Sequence, residues 1–148
     1  MNVPKLLCPA GSEEALRAAV DRGADEVYLG YTSFGARASA VNFDKEALTR
    51  AVVYAHLHHT RVHVTVNILV KPGEWEAVRQ VLTDIQDAGA DAVIVQDLGV
   101  AALVRRDFPR LQLHASTQMA LCSAAGAQMA ARLGFDRVVL ARECGLQE

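Results

Sequence analysis

His114, Arg142 and Glu143 are the residues of this 148-residue sequence best equipped for acid–base or charge-stabilising chemistry. An imidazole exchanges protons near neutral pH, so His114 could shuttle one between substrate and solvent. Arg142 and Glu143 supply a cation and a carboxylate, and as neighbours on one strand they would point to opposite faces. These three are the candidate catalytic residues. Asn67, Gln96, Asp97, Thr117 and Gln118 carry amide, carboxylate and hydroxyl groups, and they are candidate substrate contacts. So are Arg37 and Asn42, in an unusually long connection through Phe34–Asn42, where a guanidinium and an amide could grip an anion or carboxylate.

Each candidate has a structural reading beside the chemical one. Asn67 and Gln96 could serve only to hydrogen-bond neighbouring strands. Asp97, followed by Leu98-Gly99, suits a helix N-cap, as do Ser116 and Thr117. His114 could be a satisfied core histidine. Cys8 could act as a nucleophile if its pKa were lowered, or be a small strand residue. His56, His58, His59 and His63 cluster in sequence, but His56 and His59 fall near the end of a helix pattern and read as a solvated helix terminus. The three cysteines Cys8, Cys122 and Cys144 are odd in number, widely spaced and without a CxxC pair. That usage fits free thiols in a reducing cytosol, and no metal site is expected from this chain alone.

Positioning these groups requires regular elements, and short β-branched runs alternate with helical patterns throughout. Strands are expected at Lys5–Cys8, Glu26–Leu29, Arg61–Val70, Ala92–Val95, Leu111–Ala115 and Arg137–Ala141. Helices are expected from Ser12 to Gly23, from Asp44 to about His58, and over Gly73–Ala88, Leu98–Asp107 and Cys122–Leu133. Gly23-Ala-Asp-Glu-Val-Tyr-Leu, Gly89-Ala-Asp-Ala-Val-Ile-Val and Gly134-Phe-Asp-Arg-Val-Val-Leu repeat one joint. The glycine suits a left-handed position after a helix, the aspartate a tight turn, and the apolar run a strand buried on both faces.

Six strands and five helices in alternation fit either a doubly wound sheet or part of a (β/α)8 barrel. No GxGxxG follows the first strand, so dinucleotide binding gains no support. Polar residues gather where the strands end: Cys8-Pro-Ala-Gly, Gly30-Tyr31, Thr65 and Asn67, Gln96-Asp97, His114 to Gln118, and Arg142-Glu143. One polar rim at the C-terminal ends favours the barrel, whose active sites open there. The chain is 51% hydrophobic with a net charge of −2, which supports a sizeable core and no broad electrostatic capture of nucleic acid. No apolar run is long enough for a membrane span, and the N-terminus does not read as a signal peptide.

At these residues the sequence resembles the collagenase-like peptidase family of unknown catalytic type, family U32. The matching stretches are Leu7-Cys-Pro-Ala-Gly-Ser, Gly23-Ala-Asp-Glu-Val-Tyr-Leu-Gly, Phe34-Gly-Ala-Arg-Ala-Ser-Ala-Val-Asn-Phe, Val66-Asn67, Val95-Gln-Asp-Leu-Gly, His114-Ala-Ser-Thr-Gln-Met and Arg137-Val-Val-Leu-Ala-Arg-Glu. They follow the family's order along essentially the whole chain. The resemblance implies a TIM-barrel-like (β/α)8 fold with a parallel sheet, here incomplete, as one partial domain over residues 1–148. It implies an unsettled activity class, because some members were named collagen-degrading proteases. Others take part in hydroxylating tRNA, ribosomal RNA or ubiquinone precursors, some with an iron–sulfur cluster held by cysteines. The family's cysteine-bearing signature is expected downstream of the matched segment, so no cluster ligand is assigned to this chain.

The resulting expectation is the N-terminal barrel part of a cytoplasmic protein that takes part in RNA hydroxylation. A collagenase-like peptidase and a non-catalytic fragment are the alternatives. RNA or peptide would be bound through the full-length protein. The open first and sixth strands of an incomplete barrel invite self-association.

Overall fold

In the computed structural model, which describes residues 3–36 and 42–145, the chain alternates strand and helix. The elements are β1 (Leu7–Pro9), α1 (Glu13–Asp21), β2 (Glu26–Gly30), α2 (Lys45–Leu57), β3 (Arg61–Val66) and α3 (Trp75–Asp87). They continue with β4 (Ala92–Val95), α4 (Leu98–Asp107), β5 (Gln112–Ala115), α5 (Ala124–Arg132) and β6 (Arg137–Val138). All strand pairs are parallel and the order is β1-β2-β3-β4-β5-β6. A wound sheet would reverse its order around the first strand, whereas sequential order belongs to a barrel.

Alternation along each strand divides the buried residues into two sets. Val27, Leu29, Val62, Val64, Val66, Val93, Val95, Leu113 and Ala115 join Leu16, Leu48, Leu82, Val100 and other helix residues in one apolar core. The alternate positions, Glu26, Tyr28, Gly30, His63, Thr65, Ile94, His114 and Arg137, face the other way, into the curve of the sheet. The helices thus pack on the convex side. The concave side carries polar and charged groups as well as apolar ones.

Helix starts follow the sequence. Ser12, Asp44, Asp97 and Ser123 each accept backbone N–H groups at the head of α1, α2, α4 and α5. The repeated glycines Gly23, Gly89 and Gly134 adopt φ of +84°, +82° and +89°, which a side chain would resist. The repeated aspartates do more than turn the chain. Asp25, Asp91 and Asp136 accept the N–H of Leu6, Val62 and Leu113 at 2.7, 2.8 and 2.8 Å. Each returns its own N–H to the carbonyl of that same residue. One aspartate per repeat therefore latches two adjacent strands at their N-terminal ends, where a sheet would otherwise fray.

Several boundaries differ from the sequence reading, those of β3, β6 and α5 among them. β3 stops at Val66 because the chain then bends outward, and Val70 N–H donates to Asp97 Oδ2 at 3.2 Å. β6 has only two residues: Val139 N–H still reaches Ala115 carbonyl, but Ala141 N–H turns to Leu121 carbonyl. With one neighbouring strand, Val138 is only half-buried, whereas Val93 is fully buried. α5 begins at Ala124 because Ser123, accepting Gly126 N–H, caps it.

Asp91 also accepts from His56 Nε2 at 2.9 Å, so this histidine belongs to a latch. Replacing Asp91 with Ala leaves the Val62 N–H without its partner. We expect a loss of about 1–3 kcal/mol in denaturant unfolding, against less than ~0.5 kcal/mol for Glu46→Ala on the exposed side of α2.

Candidate functional site

A cavity of about 390 Å³ opens at the C-terminal ends of the strands. Its base is made by the concave residues Tyr28, Gly30, Thr65 and Ile94, with Pro9, Ala10 and Gly11 at the end of β1 on one flank and Val139 and Arg142 after β6 on the other. Ser116, Thr117 and Gln118 close the β5 side. Ser116 Oγ accepts Gln118 N–H at 3.2 Å, capping the 3-10 turn Thr117–Met119 that brings these groups to the rim. Asn67 Oδ1 accepts Ala36 N–H at 3.0 Å and so ties the connection after β2 over the cavity. Asn42 rests on Gly30: a Cβ at that glycine would lie 2.5 Å from Asn42 Oδ1. Gly30 is therefore required for the amide to occupy its place.

Every described residue lining this cavity is uncharged except Arg142. The lining offers amide donors and acceptors, four hydroxyls and one cation, but no carboxylate, imidazole or thiol. Such a set binds polar or anionic groups by hydrogen bonds.

Beneath the cavity, the concave face carries a buried charged cluster. Glu26, 1% exposed, accepts two hydrogen bonds from the Arg137 guanidinium, one of them at 3.0 Å. Lys5 Nζ lies 3.9 Å from the same carboxylate. His63 and His114, both fully buried, meet edge-to-face with ring centroids 4.8 Å apart. His63 Nε2 is 3.7 Å from Glu26 Oε2, too far for a hydrogen bond, and neither of its ring nitrogens has a hydrogen-bond partner. The Arg137 hydrogen bonds hold the Glu26 pKa below the usual carboxylate range, against the opposing effect of burial. Burial pulls the His63 pKa down, and burial together with the neighbouring His63 and Arg137 pulls that of His114 down to about 4.

The structure brings five of the expected site residues to one cavity: Asn42, Asn67, Thr117, Gln118 and Arg142. His114 is not on the rim. It sits within β5, facing the concave side, because strand tilt lowers β5 relative to β3 and stacks it against His63. Glu143 is exposed and lies outside the lining. Gln96 follows β4 and is not among the residues lining the cavity. Asp97 is committed to structure, accepting Gly99 N–H at 2.7 Å and Val100 N–H at 3.1 Å. Arg37 lies outside the described residues. Tyr31, at the end of β2, also turns away, donating to Asp84 Oδ2 at 3.1 Å. Sequence reasoning passed over Tyr28 as a core strand residue. Two-residue alternation from Gly30 puts it on the cavity side.

Residues 11–148 match the family described as peptidase family U32. The chain is 38% identical over 144 residues to the 23S rRNA 5-hydroxycytidine C2501 synthase of Escherichia coli (strain K12), covering 97% of this chain and 21% of that protein. It is 36% identical over 145 residues to tRNA hydroxylation protein P1 of Bacillus subtilis (strain 168), covering 98% of this chain and 34% of that protein. A protein named collagenase from Porphyromonas gingivalis (strain ATCC BAA-308 / W83) is 33% identical, with 100% of this chain and 36% of that protein covered. The chain thus spans about a fifth to a third of these relatives. The solved structure of the U32 peptidase Mk0906 superposes with a TM-score of 0.77 at 17% identity, over 95% of this chain and 59% of that one. This likeness confirms the barrel-type fold.

Burial of the two histidines sets a pH dependence. Unfolded, the His114 imidazole takes a proton near pH 6.5; folded, it does so only near 4. Between those values the unfolded chain binds more protons, so stability falls as pH drops from about 6.5 toward 4. Glu26, with its lowered pKa, adds a loss in the same direction at still lower pH. The melting temperature should fall steadily from pH 7 to pH 5, and more gently in His114→Gln. Parallel profiles for the two proteins would contradict this.

Proposed function

The chain belongs to peptidase family U32, and from that membership we propose that its cavity serves RNA hydroxylation in the cytoplasm, as the substrate-binding part of a larger RNA-modifying protein. The observation that carries the reading is the lining itself: amides, hydroxyls and a single arginine above a buried floor. Asn42, Asn67 and Gln118 present the donor–acceptor pairs that match the polar edge of a nucleobase, and Tyr28 supplies a ring beside them. Arg142 is placed for the negative charge that accompanies a nucleotide or another anionic reactant. A base would have to leave its stack to enter such a concavity. The names of the E. coli and B. subtilis relatives support the same reaction class.

Peptide hydrolysis is the second reading, supported by the collagenase-named relative. It calls for an activated nucleophile with a base in reach. Ser116 and Thr117 are the hydroxyls at the rim, yet no described lining residue is a histidine, carboxylate or lysine that could take their proton.

With a net charge of −2, this chain has little electrostatic hold on an RNA backbone, and we assign that hold to other parts of the whole protein. An iron–sulfur cluster usually takes four cysteine ligands. This chain has three cysteines, and its described residues form no group of three or more metal-binding side chains, so they do not fit a cluster. No helix among the described residues is long and apolar enough to cross a membrane. Among the described residues the outer edges of β1 and β6 have no partner strand, and we propose that they pair with further chain, from the same molecule or a second copy.

The test uses a strain lacking the gene, complemented with the complete gene product. Mass spectrometry of nucleosides from tRNA and ribosomal RNA should show a hydroxylated nucleoside lost on deletion and restored by the wild type. Arg142→Ala and Asn67→Ala should lower it by about tenfold or more, the scale of a lost charged or buried hydrogen bond, while melting normally. An unchanged nucleoside profile on deletion would overturn the reading. Cleavage of a collagen peptide by the purified protein, abolished by Arg142→Ala, would replace it with the peptidase.

A further inference from the structure

The rim between β5 and β6 carries two thiols outside the cavity lining. Cys122 lies just before α5 and is exposed; Cys144 lies in the turn after β6 and is partly buried. Cys144 Sγ donates to the Cys122 carbonyl at 3.3 Å, and Cys122 Sγ to the Ala120 carbonyl at 3.6 Å. Ala141 N–H, donating to the Leu121 carbonyl at 3.0 Å, holds the two segments in register. The sulfur of one cysteine therefore rests against the peptide group of the other, although 22 residues separate them. The third thiol, Cys8, packs against the apolar core from β1.

We propose that Cys122 and Cys144 are a redox-active dithiol, and that oxidation to a disulfide by a low-molecular-weight disulfide clamps together the two loops flanking the cavity. Forming the bond requires the exposed Cys122 sulfur to turn from the Ala120 carbonyl toward Cys144, whose own sulfur already rests 3.3 Å from the Cys122 carbonyl. Accessibility makes Cys122 the first to react. Its thiolate attacks one sulfur of the oxidant, forming a mixed disulfide and releasing one thiolate. The Cys144 thiolate then displaces the second half of the oxidant and forms the Cys122–Cys144 bond. Two electrons pass from the protein to the oxidant, and the two thiol protons end on the two small thiols released.

The position gives the bond a consequence. Thr117 and Gln118 lie a few residues before Cys122 on one loop, and Arg142 lies two residues before Cys144 on the other. Reduced, the loops are held by hydrogen bonds of a kind that open readily at an exposed rim. Oxidised, Arg142 is fixed to the β5 side of the cavity, and its loop loses freedom to move. Few cytosolic disulfides are structural; those present tend to be transient and regulatory, which suits a pair of thiols at a rim.

The experiment is peptide mapping of the complete gene product after exposure to oxidised glutathione, with free thiols alkylated and no reductant added. A peptide pair joining Cys122 to Cys144, lighter than the sum of its parts by two hydrogens, is the expected result. It should vanish with dithiothreitol and in Cys122→Ser or Cys144→Ser, and persist in Cys8→Ser. Trypsin cleavage after Arg142 should slow severalfold on oxidation in the wild type and not in Cys144→Ser. Recovery of both cysteines only as separate glutathione adducts, a Cys122 linkage to Cys8, or cleavage after Arg142 that ignores oxidation would each overturn the proposal.

Discussion

Glu26 on β2 and Arg137 on β6 stand 111 residues apart in sequence and are joined by an ion pair across the concave side of the sheet. In a flat sheet these strands would be four spacings apart, about 19 Å at ~4.8 Å each, beyond the reach of the two side chains. The pair therefore exists only because the sheet curls, and it fastens the curl once formed. It is also demanding. Glu26 is 1% exposed, and a carboxylate so far from water is tolerated only with its partner in place. Everything above depends on this fastening: the cavity is the space left between β1 and β6 when the strands close toward one another.

The concave face is thus layered. At the N-terminal ends, aspartate latches and the Glu26–Arg137 pair, with Lys5 nearby, bind strand to strand. In the middle, His63 and His114 fill space as neutral rings, their proton affinity lowered by burial. At the C-terminal ends, amides, hydroxyls and Arg142 line the cavity. The ion pair and the latches are thus separated along the barrel axis from the cavity. A protonated His63 would lie near Arg137 with neither ring nitrogen hydrogen-bonded, and burial outweighs the opposing pull of Glu26 to favour the neutral ring.

Much of this was legible in the sequence, for identifiable reasons. The alternating runs and the three Gly-x-Asp joints marked regular βα units, and the left-handed glycines were found where the joints put them. Helix caps such as Ser12 and Asp97 act within three residues of themselves, so local pattern sufficed. The rim was legible because polar residues follow the strands directly, and Asn42, Asn67, Thr117, Gln118 and Arg142 do converge there. What escaped was what depends on tilt and curvature. The height of His114 along the axis is set by the shear between strands, which its place within β5 does not reveal. The Glu26–Arg137 pair joins two separate copies of the repeated joint, and nothing near either residue announces the other. The second role of the aspartates was hidden similarly, since their partners Leu6, Val62 and Leu113 lie at the start of the preceding strand or just before it.

The most direct test of the account is a double-mutant cycle on the ion pair, with Glu26→Gln, Arg137→Met and the two combined, read by denaturant unfolding of the complete gene product. If the pair fastens the curled sheet, Arg137→Met destabilises strongly by stranding a buried carboxylate, and Glu26→Gln in that background restores much of the loss. The cycle should then return a coupling energy of about 1–3 kcal/mol. Additive single and double variants, within ~0.5 kcal/mol, would show that the sheet holds its curvature without this interaction and would contradict the account.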